Sequence, residues 1–165
     1  MSIDPRVHIG HVHLKVSDLD RALGFYVGVL GFELMQRHGD EAAFVSAGGY
    51  HHHIGLNTWD SKGAGPPPRN TTGLYHTAIL YPDRRSLANA LRRVLTAGIA
   101  ISGATDHGVS EAIYLRDPDD NGIELYRDRP QEEWPRAEWP RAEDGTSVAM
   151  HNAPFDLQAL LAELD

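Results

Sequence analysis

A strand–helix–strand–strand–strand pattern runs along this chain and starts again about 65 residues later. Residues 7–16, Val-His-Ile-Gly-His-Val-His-Leu-Lys-Val, are β-branched and apolar with partial alternation, which predicts a strand. On a period of two, His11 and His13 share a face with Ile9 and Lys15. Ser17 and Asp18 stop the strand and can cap a helix over 19–30, in which Leu19, Leu23, Tyr26 and Leu30 fall near a 3.6-residue period. Gly31 suits the helix end. Strands over 32–36, 42–47 and 51–58 follow, the last two joined by Gly48-Gly49. In the second round, a strand over 74–81 carries His76 near its start, and Pro82-Asp83 breaks it. A helix over 84–97 shows Leu87, Leu91, Val94 and Leu95 on one face and ends at Gly98. Strands over 99–101, 112–116 and 122–127 complete it, with Asp117-Pro118-Asp119-Asp120-Asn121-Gly122 as a strong turn between the last two.

The predicted fold class is therefore α+β: two βαβββ modules, 7–60 and 74–127, forming a cup-shaped mixed sheet. Residues 61–73 contain Lys-Gly-Ala-Gly-Pro-Pro-Pro-Arg-Asn, which can neither pack nor extend a ladder, and read as a linker. The tail, 128–165, holds Glu133-Trp134-Pro135-Arg136-Ala137 followed at once by Glu138-Trp139-Pro140-Arg141-Ala142, a tandem repeat whose prolines forbid a continuous helix. Packing of the two tryptophans on the body is the expectation, followed by a short helix over 156–164 capped by Asn152 or the Ala153-Pro154 turn. With 165 residues the chain suits one domain or two small modules sharing a core.

The repeat gives the ten histidines meaning. His11 and His76 stand at equivalent places on the first strands of the two modules. Glu124 lies on the last strand of the second, flanked by apolar Ile123 and Leu125, and a buried carboxylate needs a partner. Two histidines and one carboxylate form the facial triad of non-haem Fe(II) oxygenases, which leaves adjacent positions of an octahedral ion open. The chain contains no cysteine, so zinc–thiolate sites, thiol catalysis and disulfide scaffolds are excluded.

Gly-His-Val-His-Leu-Lys-Val-Ser-Asp-Leu-Asp-Arg-Ala-Leu-Gly-Phe-Tyr from Gly10, Val29-Leu30-Gly31-Phe32, and Asp117-Pro118-Asp119 through Gly122-Ile123-Glu124-Leu125 resemble the vicinal oxygen chelate superfamily over residues 7–127. That superfamily holds glyoxalase I, bleomycin- and fosfomycin-resistance proteins and extradiol ring-cleavage dioxygenases. The resemblance implies a metal site of His11, His76 and Glu124. Glyoxalase I-like members carry a further glutamate on the last strand of the first module, and here Gly55 occupies or neighbours that position. The chain resembles most the one-domain catechol-2,3-dioxygenase-like branch, through His-His-Ile-Gly-Leu-Asn-Thr-Trp at 52–59, Asp-His-Gly-Val-Ser-Glu-Ala-Ile-Tyr at 106–114 and the Trp-Pro-Arg tail. By that resemblance the cofactor is Fe(II), with Mn(II) the other compatible ion, and His53 is the acid–base catalyst. Tyr114 would then hydrogen-bond a substrate oxygen, and His107 would bind substrate or steer dioxygen.

The implied function is extradiol cleavage of a catechol-type substrate with dioxygen. Two rival readings share the fold: another metal-dependent isomerase or thiol transferase, and a non-catalytic aromatic- or drug-binding resistance protein. No basic run accompanies the net charge of −8, which argues against a nucleic-acid partner. No signal-peptide pattern and no apolar run of about 20 residues is present, so the expectation is a cytoplasmic protein without a membrane partner. Many extradiol enzymes carry a second pair of modules, so a homo-oligomer is expected here.

Overall fold

A computed structural model describes residues 2–68, 70–136 and 148–165. The second copy of the tandem repeat, 138–142, lies outside them. The chain divides into two compact units, Met1–Gly73 with Asp117–Asn121, and Leu74–Arg116 with Gly122–Asp165. Each holds one mixed sheet, so the α+β class is correct.

In the first unit the sheet order is β1-β4-β3-β2, with β1 (Val12–Lys15) parallel to β4 (Ile54–Asn57). Strands β2 (Glu33–His38) and β3 (Ala42–Ser46) complete it by antiparallel pairing. Between β1 and β2 runs helix α1 (Leu19–Leu23), which widens into a π-helical stretch over Gly24–Val29. The second unit repeats this as β5-β8-β7-β6, with β5 (Thr77–Leu80) parallel to β8 (Gly122–Asp128). Its other strands are β7 (Ser110–Arg116) and β6 (Ile101–Asp106), and helix α2 spans Arg84–Thr96.

The repetition extends to local chemistry. Each helix is N-capped by an aspartate: Asp18 accepts from the Arg21 amide at 2.8 Å and Asp83 from the Ser86 amide at 2.7 Å. After each helix a glycine adopts positive φ, Gly31 at 87° and Gly98 at 70°, which a side chain at Cβ would resist. Both sheets also shift register by one residue at the same place, past Met35 and past Ser102.

Strand limits differ from the sequence expectation. The first strand begins at Val12 rather than residue 7, and the fourth at Ile54 rather than residue 51. Each supplies the other's ladder partner: the register runs from Val12 opposite Ile54 to Lys15 opposite Asn57. Among the described residues no strand pairs with 7–10, and alternation alone does not make a strand. β6 begins at Ile101, where the expected strand 99–101 ends, and runs to Asp106 because its ladder with β7 extends that far, with a short strand β9, Ala153–Pro154, pairing at its end. That pair of residues is thus a ladder rather than the expected cap. The last helix, α3 (Leu157–Leu161), is capped by Asp156, whose carboxylate accepts from the Gln158 and Ala159 amides at 2.9 and 3.1 Å.

In the second unit, Ile113, Leu115, Ile123 and Leu125 point to one face of the sheet and are buried, as are Leu87, Leu91 and Val94 of α2 and Leu160 of α3. Side chains of this size contribute roughly 1.5–3 kcal/mol each on full burial. Alternation then sends Tyr114, Glu124 and Tyr126 to the opposite face. In the first unit, the Asp117–Asn121 turn is a hydrogen-bond hub. Asp117 accepts from the Tyr26 hydroxyl at 2.9 Å and from the Asp119 and Asn121 amides at 2.9 and 2.8 Å. Burial, with the Asp117 charge beside it, holds the Tyr26 phenol far above its ordinary pKa, so it remains a donor.

Candidate functional site

Four of the expected site residues meet on one face of the second sheet. The register explains why. Tyr114 of β7 lies directly opposite Glu124 of β8, and His76 precedes Thr77, which lies opposite Ile123. His76 therefore stands level with Gly122, two residues from Glu124 on the same face. Gly122 is what lets it approach: a Cβ there would run into the Tyr75 carbonyl and stand 3.1 Å from His76 Cα and Cβ. His76 Nε2 is 2.8 Å from Glu124 Oε2, and the two rings of His76 and Tyr114 are 5.8 Å apart. The Tyr114 hydroxyl is 3.3 Å from Glu124 Oε1 and 2.7 Å from His107 Nε2. Burial, then the Glu124 carboxylate, pushes the Tyr114 pKa up to about 12, so it stays protonated at neutral pH. Beside this group is a cleft of about 180 Å³ whose lining includes Tyr75, His76, Gly103, Tyr114 and Gly122.

These donors fit a divalent ion. Glu124 is 8% exposed, and His76 Nδ1 is buried without a hydrogen-bond partner among the described residues. Two ligands held at about 2.1 Å and at right angles on one ion stand about 3 Å apart, and the observed nitrogen–oxygen separation is 2.8 Å. Within each unit, the described residues hold no group of three or more histidine, aspartate or glutamate side chains gathered as a complete metal cage. As ligands of an ion, His76 and Glu124 would need further donors.

His11 and His53 belong to the first unit. His11 immediately precedes β1 as His76 precedes β5, so the repeat equivalence of the two histidines is visible in the ladders. In the same correspondence Gly55 takes the place of Glu124. The His13 ring lies over Gly55, 3.0 Å from where a Cβ would be, and stacks beside Trp59 at 5.4 Å and Phe44 at 6.0 Å. Burial and the neighbouring His11 lower the His13 pKa, favouring a neutral ring. Gly55 supplies no carboxylate, and an aromatic side chain covers it.

The three consecutive histidines precede β4, so strand alternation does not govern them. The His52 ring lies 4.4 Å from that of His11 and 5.1 Å from Phe44. His53 Nδ1 instead meets the Ser46 hydroxyl at 2.9 Å and the Ala47 amide at 3.3 Å. Residue reasoning did not single out His52, Gly122 or Trp59. The run of three histidines and the Asn-Gly step before Ile-Glu were the available signals.

No described helix is long and apolar enough to cross a membrane. Comparison with known proteins then adds identity to geometry. A catechol-2,3-dioxygenase of Bacillus subtilis (strain 168) is 43% identical over 162 residues, covering 98% of this chain and 54% of that protein. A biphenyl-2,3-diol 1,2-dioxygenase 3 of Rhodococcus globerulus is 31% identical over 130 residues, 78% of this chain and 66% of that protein. The chain thus spans about half to two thirds of the length of these curated relatives. In fold, it is similar to a glyoxalase/dioxygenase from Nostoc punctiforme, with a TM-score of 0.64 at 20% identity over 79% of this chain and 98% of that chain. The family model that matches residues 8–125 covers both βαβββ rounds, and on that match the chain belongs to the glyoxalase/bleomycin resistance protein/dioxygenase superfamily.

Proposed function

We propose that this chain is an extradiol ring-cleavage dioxygenase that acts on a catechol-type substrate with non-haem Fe(II) and dioxygen. The observation that carries the reading is the cluster on the second sheet, where a histidine–carboxylate pair 2.8 Å apart stands beside Tyr114 and His107. The names of the two curated relatives favour the same chemistry. His11, His76 and Glu124 are the proposed ligands. Ferrous iron held there would supply the redox chemistry that joins diol and dioxygen.

The protein's own groups handle protons and geometry. The Tyr114 hydroxyl, kept protonated by its surroundings, can donate its one proton to His107 Nε2 at 2.7 Å or, once a diol is bound, turn it to a substrate oxygen. His53 is the proposed acid–base group of the first unit, and His52, against His11, is a second imidazole near the proposed ligand. Gly55 disfavours a glyoxalase-type site, because the first module then offers His11 without an accompanying carboxylate. The test is oxygen uptake by the full chain loaded anaerobically with Fe(II). Uptake with at least one member of a broad catechol panel is expected. Loading with iron but no uptake across the panel would sink the proposal, and activity confined to Mn(II) with a non-diol substrate would favour an isomerase or thiol transferase.

Two variants probe the same face. Tyr114→Phe keeps the ring and removes the hydroxyl, so kcat is expected to fall about a hundredfold with ferrous affinity nearly unchanged. Steady-state oxygen uptake and an anaerobic iron titration check the two halves. Gly122→Ala places a methyl against Tyr75 and His76. Ferrous affinity is expected to fall about ten- to a hundredfold because the ligand is displaced by its support, which the same titration reads.

A further inference from the structure

The described residues beyond β8, 129–136 and 148–165, form a strap along the second unit. Arg136 pairs with Val148, and the Ala149 amide donates to the Pro135 carbonyl at 2.8 Å. Ala153 and Pro154 add the short strand β9 to β6, opposite Asp106 and Thr105. Helix α3 anchors the end: Leu160 is fully buried, and Glu163 binds Arg84 through its carboxylate and Arg85 through its carbonyl. Where the strap crosses the turn after β6, it holds His107 twice. The His151 amide donates to the His107 carbonyl at 3.2 Å, and His107 Nδ1 is 3.1 Å from the His151 carbonyl. Gly108, at φ 76°, leaves the room for this: a Cβ there would meet the His151 ring and Pro135.

A carbonyl oxygen can only accept. The His107 nitrogen facing it must carry the proton, and in the neutral ring the other nitrogen is then an acceptor. That other nitrogen, Nε2, lies 2.7 Å from the Tyr114 hydroxyl. Tyr114 has one proton and two neighbours to receive it, Glu124 Oε1 at 3.3 Å and His107 Nε2. We propose that the strap over residues 148–156 is a positioning device: the main-chain carbonyl of His151 fixes His107 in its Nδ1–H tautomer, whose Nε2 then accepts the hydrogen bond of the Tyr114 hydroxyl and leaves Glu124 Oε1 without it. This rests on the assignment of Tyr114 and Glu124 to the site proposed above. His151 acts here through its backbone and is a positioning residue. Its imidazole enters only as a group that a Cβ on Gly108 would displace.

The test reads the tautomer itself and needs neither metal nor turnover. Long-range proton–nitrogen correlation on the ¹⁵N-labelled full chain, at a pH where the rings are neutral, distinguishes Nδ1–H from Nε2–H. His107→Gln assigns the signal. Wild-type His107 is expected as Nδ1–H. Gly108→Ala, which pushes the strap away, is expected to shift the tautomer ratio about fivefold towards Nε2–H, alongside faster exchange of the His151 amide. Should that variant not fold, Ala153→Pro disturbs β9 instead. Wild-type His107 found as Nε2–H would overturn the proposal. So would retention of Nδ1–H in a variant whose His151 amide shows the strap released. Failure of oxygen uptake would count against the dioxygenase reading and leave this result standing.

Discussion

Replacing Glu124 by glutamine is expected to lower ferrous-ion affinity at least about a hundredfold, roughly 2.7 kcal/mol, while leaving the fold as stable as before or slightly more stable. The reasoning starts from where the carboxylate sits. Glu124 is 8% exposed, with Ile123 and Leu125 on either side in β8 and His76 Nε2 at 2.8 Å. A carboxylate taken out of water loses solvation that a single imidazole and a 3.3 Å phenol contact replace poorly. Glutamine keeps the length and one acceptor oxygen for His76 or Tyr114, and it removes the charge. Stability therefore changes by no more than about 1 kcal/mol. With the proposed ligand set, the ion would lose an anionic ligand, for which a neutral amide oxygen is a weak substitute. An anaerobic titration beside a denaturant melt reads both quantities. Ferrous affinity within about threefold of wild type would remove Glu124 from the ligand set, and a large loss of stability would make it a structural residue.

The same residue shows what the sequence reveals and what it withholds. Glu124 between two apolar neighbours is a local pattern, and so are the aspartate caps at Asp18 and Asp83 and the glycines at Gly31 and Gly98. Each depends on a few adjacent residues, which is why the double βαβββ order could be read directly. Strand limits depend instead on partners distant in sequence. His11 and His76 fall just outside β1 and β5 because the parallel ladders begin at Val12 opposite Ile54 and at Thr77 opposite Ile123. For the same reason, alternation could not choose between His52 and His53. β9 is two residues long, and nothing within Ala153-Pro154 marks a strand: the ladder exists because β6 offers an edge there. The hold of His151 on His107 runs through the main chain and leaves no mark on residue type. Glu111 was within reach. It stands two residues from Ile113 and four from Leu115, on the face that packs the core, and the reasoning applied to Glu124 would have asked for its partner too.

That partner is a group of three arginines, and Glu111→Leu is expected to destabilise the protein by about 3–5 kcal/mol. Glu111 is 4% exposed. Its Oε2 receives the Nε groups of Arg127 at 2.8 Å and Arg84 at 3.2 Å, while Oε1 is 3.3 Å from Arg129. Removing the carboxylate does not affect the three equally. Arg84 keeps Glu163, and Arg129 keeps Asp106 at 2.5 Å. Arg127, whose side chain is 14% exposed, keeps the Asp128 carbonyl at 3.2 Å and loses its carboxylate. The cost is thus concentrated in one partly buried guanidinium left without an opposite charge among the described residues. For a chain of this size the loss corresponds to a fall in Tm of roughly 6–15 °C. Removing the stranded charge as well should reverse most of it: Glu111→Leu/Arg127→Leu is expected within about 1–2 kcal/mol of wild type, since apolar replacement of a whole buried pair is often close to neutral. Guanidinium melts of the two variants, at unchanged m-value, decide the matter. If the double variant is as unstable as the single one, the network holds the end of the sheet together through Arg127 itself, and the penalty does not come from an unpaired charge.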